Sequence, residues 1–406
     1  MKVIILTQNF LPEPRRMFLE MAQELQSRGH QVQVVTGYPN WPSGTIYPGY
    51  KVKLFQREVI EGIDVLRLPI YPDHSRSKIR RILNLSTLAV SFLFLGPWLL
   101  RRPNLIHIIQ LPTLCVSAYI LGLFWRTKFT LDVLDMWPET LTATGMMNNK
   151  SILNTLNSLC NWTYKKAARI RVGSPGCKRN LIEKGVPSEK IDVIFDWIDT
   201  DYYRPVAPNP VKAKELGLDG KFNVVYAGTI GLAQGLETVL YAADLLRDLP
   251  EVQIVFAGGG VDEENIRAKA VEMTLPNVKF LGLLQSNEMP DLYALSDVLI
   301  AHLKKDPLFF ITVPSKVVSH FAVGKPTLNA VEGDTADLVA ESQAGISVPP
   351  EDPKAMADAI RQFYAMPKEE LLLMGQRGRE AAVDRYSRTV LCAEFEKMLV
   401  RATHKS

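Results

Sequence analysis

Cysteine is scarce in this chain, and the few residues present form no pattern. Four cysteines occur in 406 residues, at positions 115, 160, 177 and 392, and none belongs to a CxxC pair. That spacing excludes a disulfide framework and a zinc knuckle, and it fits a reducing compartment. Histidine is also sparse, at six residues, with no HExxH or HxxxH pair. No metal site is expected from it. Long apolar runs are missing too. The best candidates, Thr87 to Leu100 and Leu114 to Trp125, fall short of the ~20 apolar residues that cross a bilayer. The opening MKVIILTQNF has too short an apolar run for a signal peptide and lacks a cleavage site, so it reads as a buried first strand. Neither sign of charge prevails, with 47 Lys+Arg against 43 Asp+Glu. Hydrophobic residues make up 47% and charged residues 22%, as in soluble globular proteins. Disordered, collagen-like and multi-span classes are excluded. At roughly 150 residues per domain, the length implies two or three domains.

What is present is an alternation. Short apolar runs of buried-strand type occur at 2–6, 31–35, 105–109, 129–134, 170–172 and 192–195. Amphipathic stretches separate most of them; Met17, Met21 and Leu25 stand four apart on one helical face. A proline-rich segment, DWIDTDYYRPVAPNPVK at 196–212, reads as a linker. The alternation then restarts at 222–228, 252–258, 278–282, 297–301, 326–330 and 345–348. Strand, helix, strand in repetition predicts parallel sheets covered on both faces. The fold class is therefore α/β, with two doubly wound Rossmann-like domains facing across a cleft. The expected limits are 1–204 and 205–385, with a terminal helix in 386–406. Ligands of such folds bind at the carboxyl ends of the strands.

Several loops at those ends carry candidate chemistry. AGTIGLAQGLE (227–237) ends a strand with three glycines before a helix. Gly228, Thr229, Ile230, Gly231 and Gln234 would there present amides and donors to a phosphate; the alternative is a tight turn. The spacing matches neither the dinucleotide fingerprint nor a Walker loop. In VPSKVVSHFAVGKP (313–326), Pro314 and Ser315 start a helix and Lys316 falls in its first turn. A lysine there opposes the helix dipole, and an anion docked at that end would offset the repulsion. LDVLDMWPETLTATG (131–145) brings Asp135, Trp137 and Glu139 just past a strand. A carboxylate at that edge suits a base, a stabiliser of positive charge or a hydroxyl acceptor, or it caps a helix. GYPNWPSG (37–44) shows Asn40 and Trp41 as exposed-looking loop residues. His107, inside a strand, and His30, at a turn, read as structural. Asp199-Thr200-Asp201 matches a metal-binding DxD only by letter.

Charge is unevenly spread. Residues 1–205 sum to +10 and the remainder to −6. The stretch HSRSKIRRILNLSTLAVSFLFLGPWLLRR (74–102) sets basic clusters on both flanks of an apolar run. That arrangement fits an anionic membrane interface, with a core helix as the alternative. Its aromatics are not interleaved with its basic residues, so nucleic acid is not expected.

Taken in order, the segments GHQVQVVTGYPNWPSGTIYPGYK, LDVLDMWPE, VGSPGCKRNLIEKGVPSEKIDVIFDWIDTDYYRP, YAGTIGLAQGLE and VPSKVVSHFAVGKP resemble retaining glycosyltransferases of family four with the GT-B fold. The resemblance covers nearly the whole chain. It is nearest to bacterial surface-polysaccharide enzymes similar to N-acetylfucosaminyl and related amino-sugar transferases. It implies that the second half holds a nucleotide sugar, UDP-linked, with 228–235 and 315–316 around the diphosphate. Gly258, Gly259, Gly282 and Leu283 would border the base, and Ser319 belongs to the donor set. The first half would bind a glycan on a polyprenyl diphosphate, with Glu13, Arg15, Asn40, Trp41 and Trp137 as acceptor contacts. The terminal helix would cross back onto the first domain. The expected location is cytoplasmic and peripheral, on the inner face of the membrane.

Three departures from the family pattern are visible. Thr229 and Gln234 stand where an Arg and a Lys are common, leaving Lys316 as the main diphosphate cation. Ile311 and Ser319 stand where two glutamates form the Glu-x7-Glu signature. Glu13, Arg15 and Arg16 replace a glycine-rich first loop. The implied reaction is metal-independent glycosyl transfer, with Asp135, Glu139 and Lys316 as catalytic residues and no cofactor. A nucleotide-sugar epimerase and a non-catalytic nucleotide-sugar-binding protein are the alternatives. A nicotinamide dehydrogenase is not, because no GxGxxG follows the first strand of either half.

Overall fold

The alternating runs build two sheets. The structure is a computed structural model that describes residues 1–14, 16–73, 77–143 and 149–403. The first sheet holds β1 (Lys2–Leu6), β2 (Gln31–Gly37), β3 (Gln56–Ile60), β4 (Ile63–Leu68), β5 (Leu105–Ile109), β6 (Lys128–Val133), β7 (Arg169–Val172) and β8 (Ile191–Val193). Its order is β3-β4-β2-β1-β5-β6-β7-β8. All pairings are parallel except that of β3 with β4. The second sheet holds β9 (Phe222–Ala227), β10 (Val252–Ala257), β11 (Val278–Gly282), β12 (Val298–His302), β13 (Thr327–Ala330) and β14 (Gly345–Ser347). It is wholly parallel, in the order β11-β10-β9-β12-β13-β14. The strand order reverses beside β1 in one sheet and beside β9 in the other. Those reversals are where an α/β sheet opens a ligand crevice.

The β3–β4 hairpin is absent from the sequence reading. Its outer strand alternates half-buried and exposed residues and covers the sheet edge. An edge strand of that kind leaves no continuous apolar run to detect.

The helix α1 (Arg16–Ser27) buries Phe18, Leu19, Met21, Ala22 and Leu25 against the first sheet. The helix α2 (Lys78–Leu99) is longer than the predicted apolar run, and its segment Ile82–Leu99 has the length and apolar composition of a membrane span. It does not leave the domain. Leu88 and Phe92 are core residues, Ser91 donates to Pro69 O, and Asn84 bridges Gln8 and Tyr71 O. The helix α3 (Pro112–Trp125) packs beside it.

The terminal helix Arg388–Thr403 lies on α1, β5, β6 and β7 of the first sheet. Glu396 accepts from His30 at 2.7 Å, and His30 also meets the N-terminal amine at 3.0 Å. His30 is thus structural. His107 is buried under the same helix, edge-on to Phe395, with Nδ1 3.0 Å from Thr130 Oγ1. Asp199 is also structural: Oδ1 accepts from the amides of Asp201 and Tyr202. The linker is pinned by Arg379, whose guanidinium donates to Thr200 O, Tyr203 O and Ala322 O.

Candidate functional site

The carboxyl ends of β9, β10 and β11 bring three glycine turns together. Gly228 N donates to Ala257 O, Ile230 N to Gly259 O, and Gly258 N to Gly282 O, at 2.7–2.9 Å. Gly258 has φ +140°, and a methyl group added there would fall 1.8 Å from Gly228 O. Only glycine permits that approach. Ile230 is buried, whereas Thr229 and Leu283 are exposed beside these turns. Gly231 and Gln234 bound a single helical turn, in which Gln234 N donates to Gly231 O.

Lys316 decides the character of this edge. Pro314 is the N-cap of the helix Ser315–Ala322 and Ser315 its first residue. The Lys316 side chain folds inward, and its Nζ lies 3.8 Å from the centre of the Tyr226 ring, at the end of β9. The ammonium is enclosed and has no hydrogen-bond partner. A methyl group on Gly228 would stand 3.2 Å from it. Burial pulls its pKa down to about 7. An ammonium with no hydrogen-bond partner beside a glycine turn is suited to an anion, since burying a charge without such a partner is costly. Tyr226 supports the turn by donating to Thr229 O at 2.6 Å. Ser319 is not aimed at this edge; its hydroxyl donates back to Ser315 O at 3.3 Å.

Two residues at the end of β12 were missed by sequence reasoning. His302 is buried and lies 2.6 Å from Gln234 O through Nδ1, while Nε2 accepts from Glu351 N. Both ring nitrogens are used, and burial lowers the pKa, so the imidazole is a neutral brace. Lys304 N donates to Ala233 O, and its Cγ would lie 2.9 Å from a methyl group on Gly235. Lys316 and Lys304 therefore abut opposite ends of the 228–235 loop. The legible signal was position alone, the loop after β12 beside the strand reversal.

Across the cleft, Asp135 is exposed and accepts from Gln110 Nε2. It lines a cavity of about 120 Å³ with Met136, Thr140 and Asp196, opposite Ser315 and Val318 of the second domain. Asp135 and the start of the Lys316 helix are thus brought together. Among the other expected contacts, Glu13 and Asn40 are buried rather than open to the cleft. Glu13 is 1% exposed. Its carboxylate accepts from the amides of Phe10, Asn40 and Trp41 at 2.7–3.0 Å, so it braces two loops and has no face for an acceptor. Burial raises its pKa against those hydrogen bonds. Asn40 is fully buried, not exposed, and donates to Tyr38 O. Trp41 is half-buried. Trp137 packs on the first core. Glu139 is neutralised by Lys184 and does not line the cavity. Arg15 lies outside the described residues.

The domains are clasped beside the cavity. Ser174 Oγ donates to Ile311 O, and Asp334 accepts from Gly176 N and pairs with Arg179 at 2.8 Å. Ile311, where the family signature has a glutamate, therefore belongs to the domain contact. Among the described residues, no group of three His, Cys, Asp or Glu is placed to hold a metal ion.

Residues 14–197 match the glycosyl transferase 4-like domain, and residues 209–381 match glycosyl transferases group 1. The chain belongs to glycosyltransferase family four. This transferase is 29% identical over 387 residues to the putative colanic acid biosynthesis glycosyl transferase WcaI of Escherichia coli K12, covering 91% of this chain and 93% of the relative. Its fold is similar to that of Anabaena HepE, crystallised with UDP, at TM-score 0.72 and 16% identity, covering 98% of this chain and 100% of HepE. Sucrose-phosphate synthase of Thermosynechococcus elongatus gives TM-score 0.75 at 16% identity, covering 98% of each chain. The transferase has the GT-B fold.

Proposed function

We propose that this transferase moves an N-acetylated hexosamine or deoxyhexosamine from a UDP-sugar to a hydroxyl of a lipid-linked glycan, with retention, in surface-polysaccharide synthesis. The observation that carries the reading is the enclosed, unpartnered ammonium of Lys316 against the glycine turns. UDP in HepE and the colanic acid role in the name of WcaI support the donor and the pathway class.

The anomeric carbon's bond to the diphosphate oxygen breaks, and its bond to the acceptor oxygen forms on the same face. The acceptor proton passes to the departing diphosphate. Negative charge builds on that diphosphate, so preorganised donors there lower the barrier most. The Gly228 and Ile230 amides are used on Ala257 O and Gly259 O, so the Thr229 and Gly231 amides and the Lys316 ammonium serve as those donors, without a metal. Asp135, facing the cavity, stabilises positive charge at the anomeric carbon or orients the acceptor. Lys304 supplies the second cation at the far end of the loop, where Thr229 and Gln234 bring none. Lys304→Ala is expected to raise the donor KM about tenfold with kcat nearly kept, because it removes ground-state binding. Steady-state kinetics with varied donor would read this. A kcat loss equal to the loss in kcat/KM would place Lys304 in the transition state instead.

The reading is tested by label partition. Purified protein is mixed with radiolabelled UDP- and GDP-sugars and a bacterial lipid extract, then extracted with butanol. Label entering the organic phase from one UDP-sugar is the expected result. Label that stays aqueous with every donor overturns the lipid acceptor, and epimerised sugar in that phase would indicate an isomerase.

A further inference from the structure

The flank of the first domain formed by α2 and α3 exposes large apolar side chains. Trp98 is 87% exposed, Phe124 72%, Phe94 68% and Leu123 65%. Val90, Ile82 and Leu83 extend the line along α2, and Ile120 extends it on α3. Soluble surfaces rarely gather so many large apolar side chains on one face without a partner. The stripe follows α2 from Ile82 to Trp98, about 24 Å at helical rise. The opposite side of α2 is locked into the core through Leu88, Phe92 and Gly96, the last packed on Leu121 and Trp125. The helix therefore meets its partner sideways.

The charge around this face selects the partner. Arg101 and Arg102 follow α2, and exposed Arg126 follows α3, with Arg102 donating to Arg126 O. Arg57 donates to Leu99 O, and Lys2 Nζ to Arg101 O. Burial, followed by the repulsion of Arg101 and Arg57, holds Lys2 below the ordinary lysine range. Asp64, 4.0 Å from Arg57, offsets one of these charges. Arg80 stands at the other end of the stripe, 3.8 Å from Asp73. Cations at both ends of an in-plane apolar stripe match a layer of anionic headgroups over acyl chains. A second copy of the same face would set arginine against arginine.

We infer that α2 and α3 together form a membrane-docking face that takes an anionic phospholipid bilayer, with α2 lying in the interface plane. The inference rests on the lipid-acceptor reading for its purpose. Both helices start at the carboxyl edge of the first sheet, where Asn84 accepts from Gln8 just past β1, so the flat orientation sets that edge at headgroup level. An acceptor diphosphate then reaches the cleft while its lipid stays in the bilayer.

The test is sedimentation of the full chain with vesicles of phosphatidylcholine alone or mixed with phosphatidylglycerol. The expected result is binding to the mixed vesicles and little to the neutral ones. Phe94→Ser with Phe124→Ser should weaken that binding at least about tenfold, given the transfer energy of two aromatic rings. Arg101→Gln with Arg102→Gln should weaken it roughly tenfold, with the effect lost in high salt. UDP binding, measured by calorimetry, should be unchanged in every variant, which shows that each is folded. No binding to the mixed vesicles would overturn the inference. So would a concentration-dependent dimer that the Phe94/Phe124 variant dissolves, because the face would then belong to a second copy. Vesicle binding without labelled lipid product would leave the docking face standing and remove the lipid acceptor.

Discussion

Lys316→Ala is expected to lower turnover on the order of a hundredfold, the usual cost of deleting a preorganised donor to developing negative charge. The fold should survive. The ammonium lies buried over Tyr226 with no hydrogen-bond partner, so removing it relieves an unpaired buried charge. Lys316→Met, which keeps the volume, should melt no lower than the parent while losing the same turnover. Near-normal turnover in either variant would remove Lys316 from the mechanism.

The pH dependence follows from the same burial. In the free protein the Lys316 pKa is pulled down to about 7. In the unfolded chain it is an ordinary lysine, protonated up to about 10.4. Between these values the unfolded state holds more protons, so stability rises with pH across that window. A bound diphosphate favours the charged form and raises the pKa. UDP affinity should therefore fall above pH 7, by up to about tenfold per unit until the bound-state pKa is reached. Binding at pH 8 should take up a proton, visible by calorimetry in buffers of different ionisation enthalpy. Lys316→Met should abolish that uptake.

Arg171→Met is expected to cost about 3–5 kcal/mol, the penalty for orphaning a buried charge. Arg171 is fully buried and lies 2.7 Å from both Asp132 and Asp196. It also donates to Ile194 O and Phe195 O and faces the Trp197 ring. One side chain thus ties the ends of β6 and β7 to the start of the linker. Burial pushes the Asp132 carboxyl up to about 6 despite the arginine beside it. Without that arginine, a carboxylate remains in the core. The denaturant midpoint of Arg171→Met should drop sharply, and Asp132→Leu added to it should recover much of the loss. A loss of unfolding free energy under about 1 kcal/mol, on the scale of an exposed ion pair, would show that the triad is not structural. Asp196 also lines the cleft cavity, so donor binding should weaken with the fold.

The buried parallel strands were legible because each is apolar along its whole length. Both faces of such a strand are covered, and burial is recorded residue by residue. That is why β1 and β5, at the centre of the first sheet, match the predicted runs residue for residue. In the hairpin, β3 was not legible because alternate residues face water, and β4 because Asp64 and the fully buried Arg67 interrupt its apolar run. The glycine turns and Lys316 were legible as positions, whereas the inward fold of Lys316 over Tyr226 was not. Glu13 and Glu139 show the limit. Each looked like a free carboxylate in a cleft loop, and each is spent on a partner, the 40–41 amides in one case and Lys184 in the other.

The amino-acid order by itself determined the two-sheet α/β architecture, the linker and the sheet edge at which the glycine turns gather. These depend on periodicity and on turn residues, which act over a few neighbours. Tertiary packing alone decided which charges are satisfied. It left Lys316 without a partner, joined Asp334 to Arg179 across 155 residues, and left the outer faces of α2 and α3 uncovered. A side chain's partner is whatever the folded chain brings within about 3–4 Å, and no local period encodes that distance.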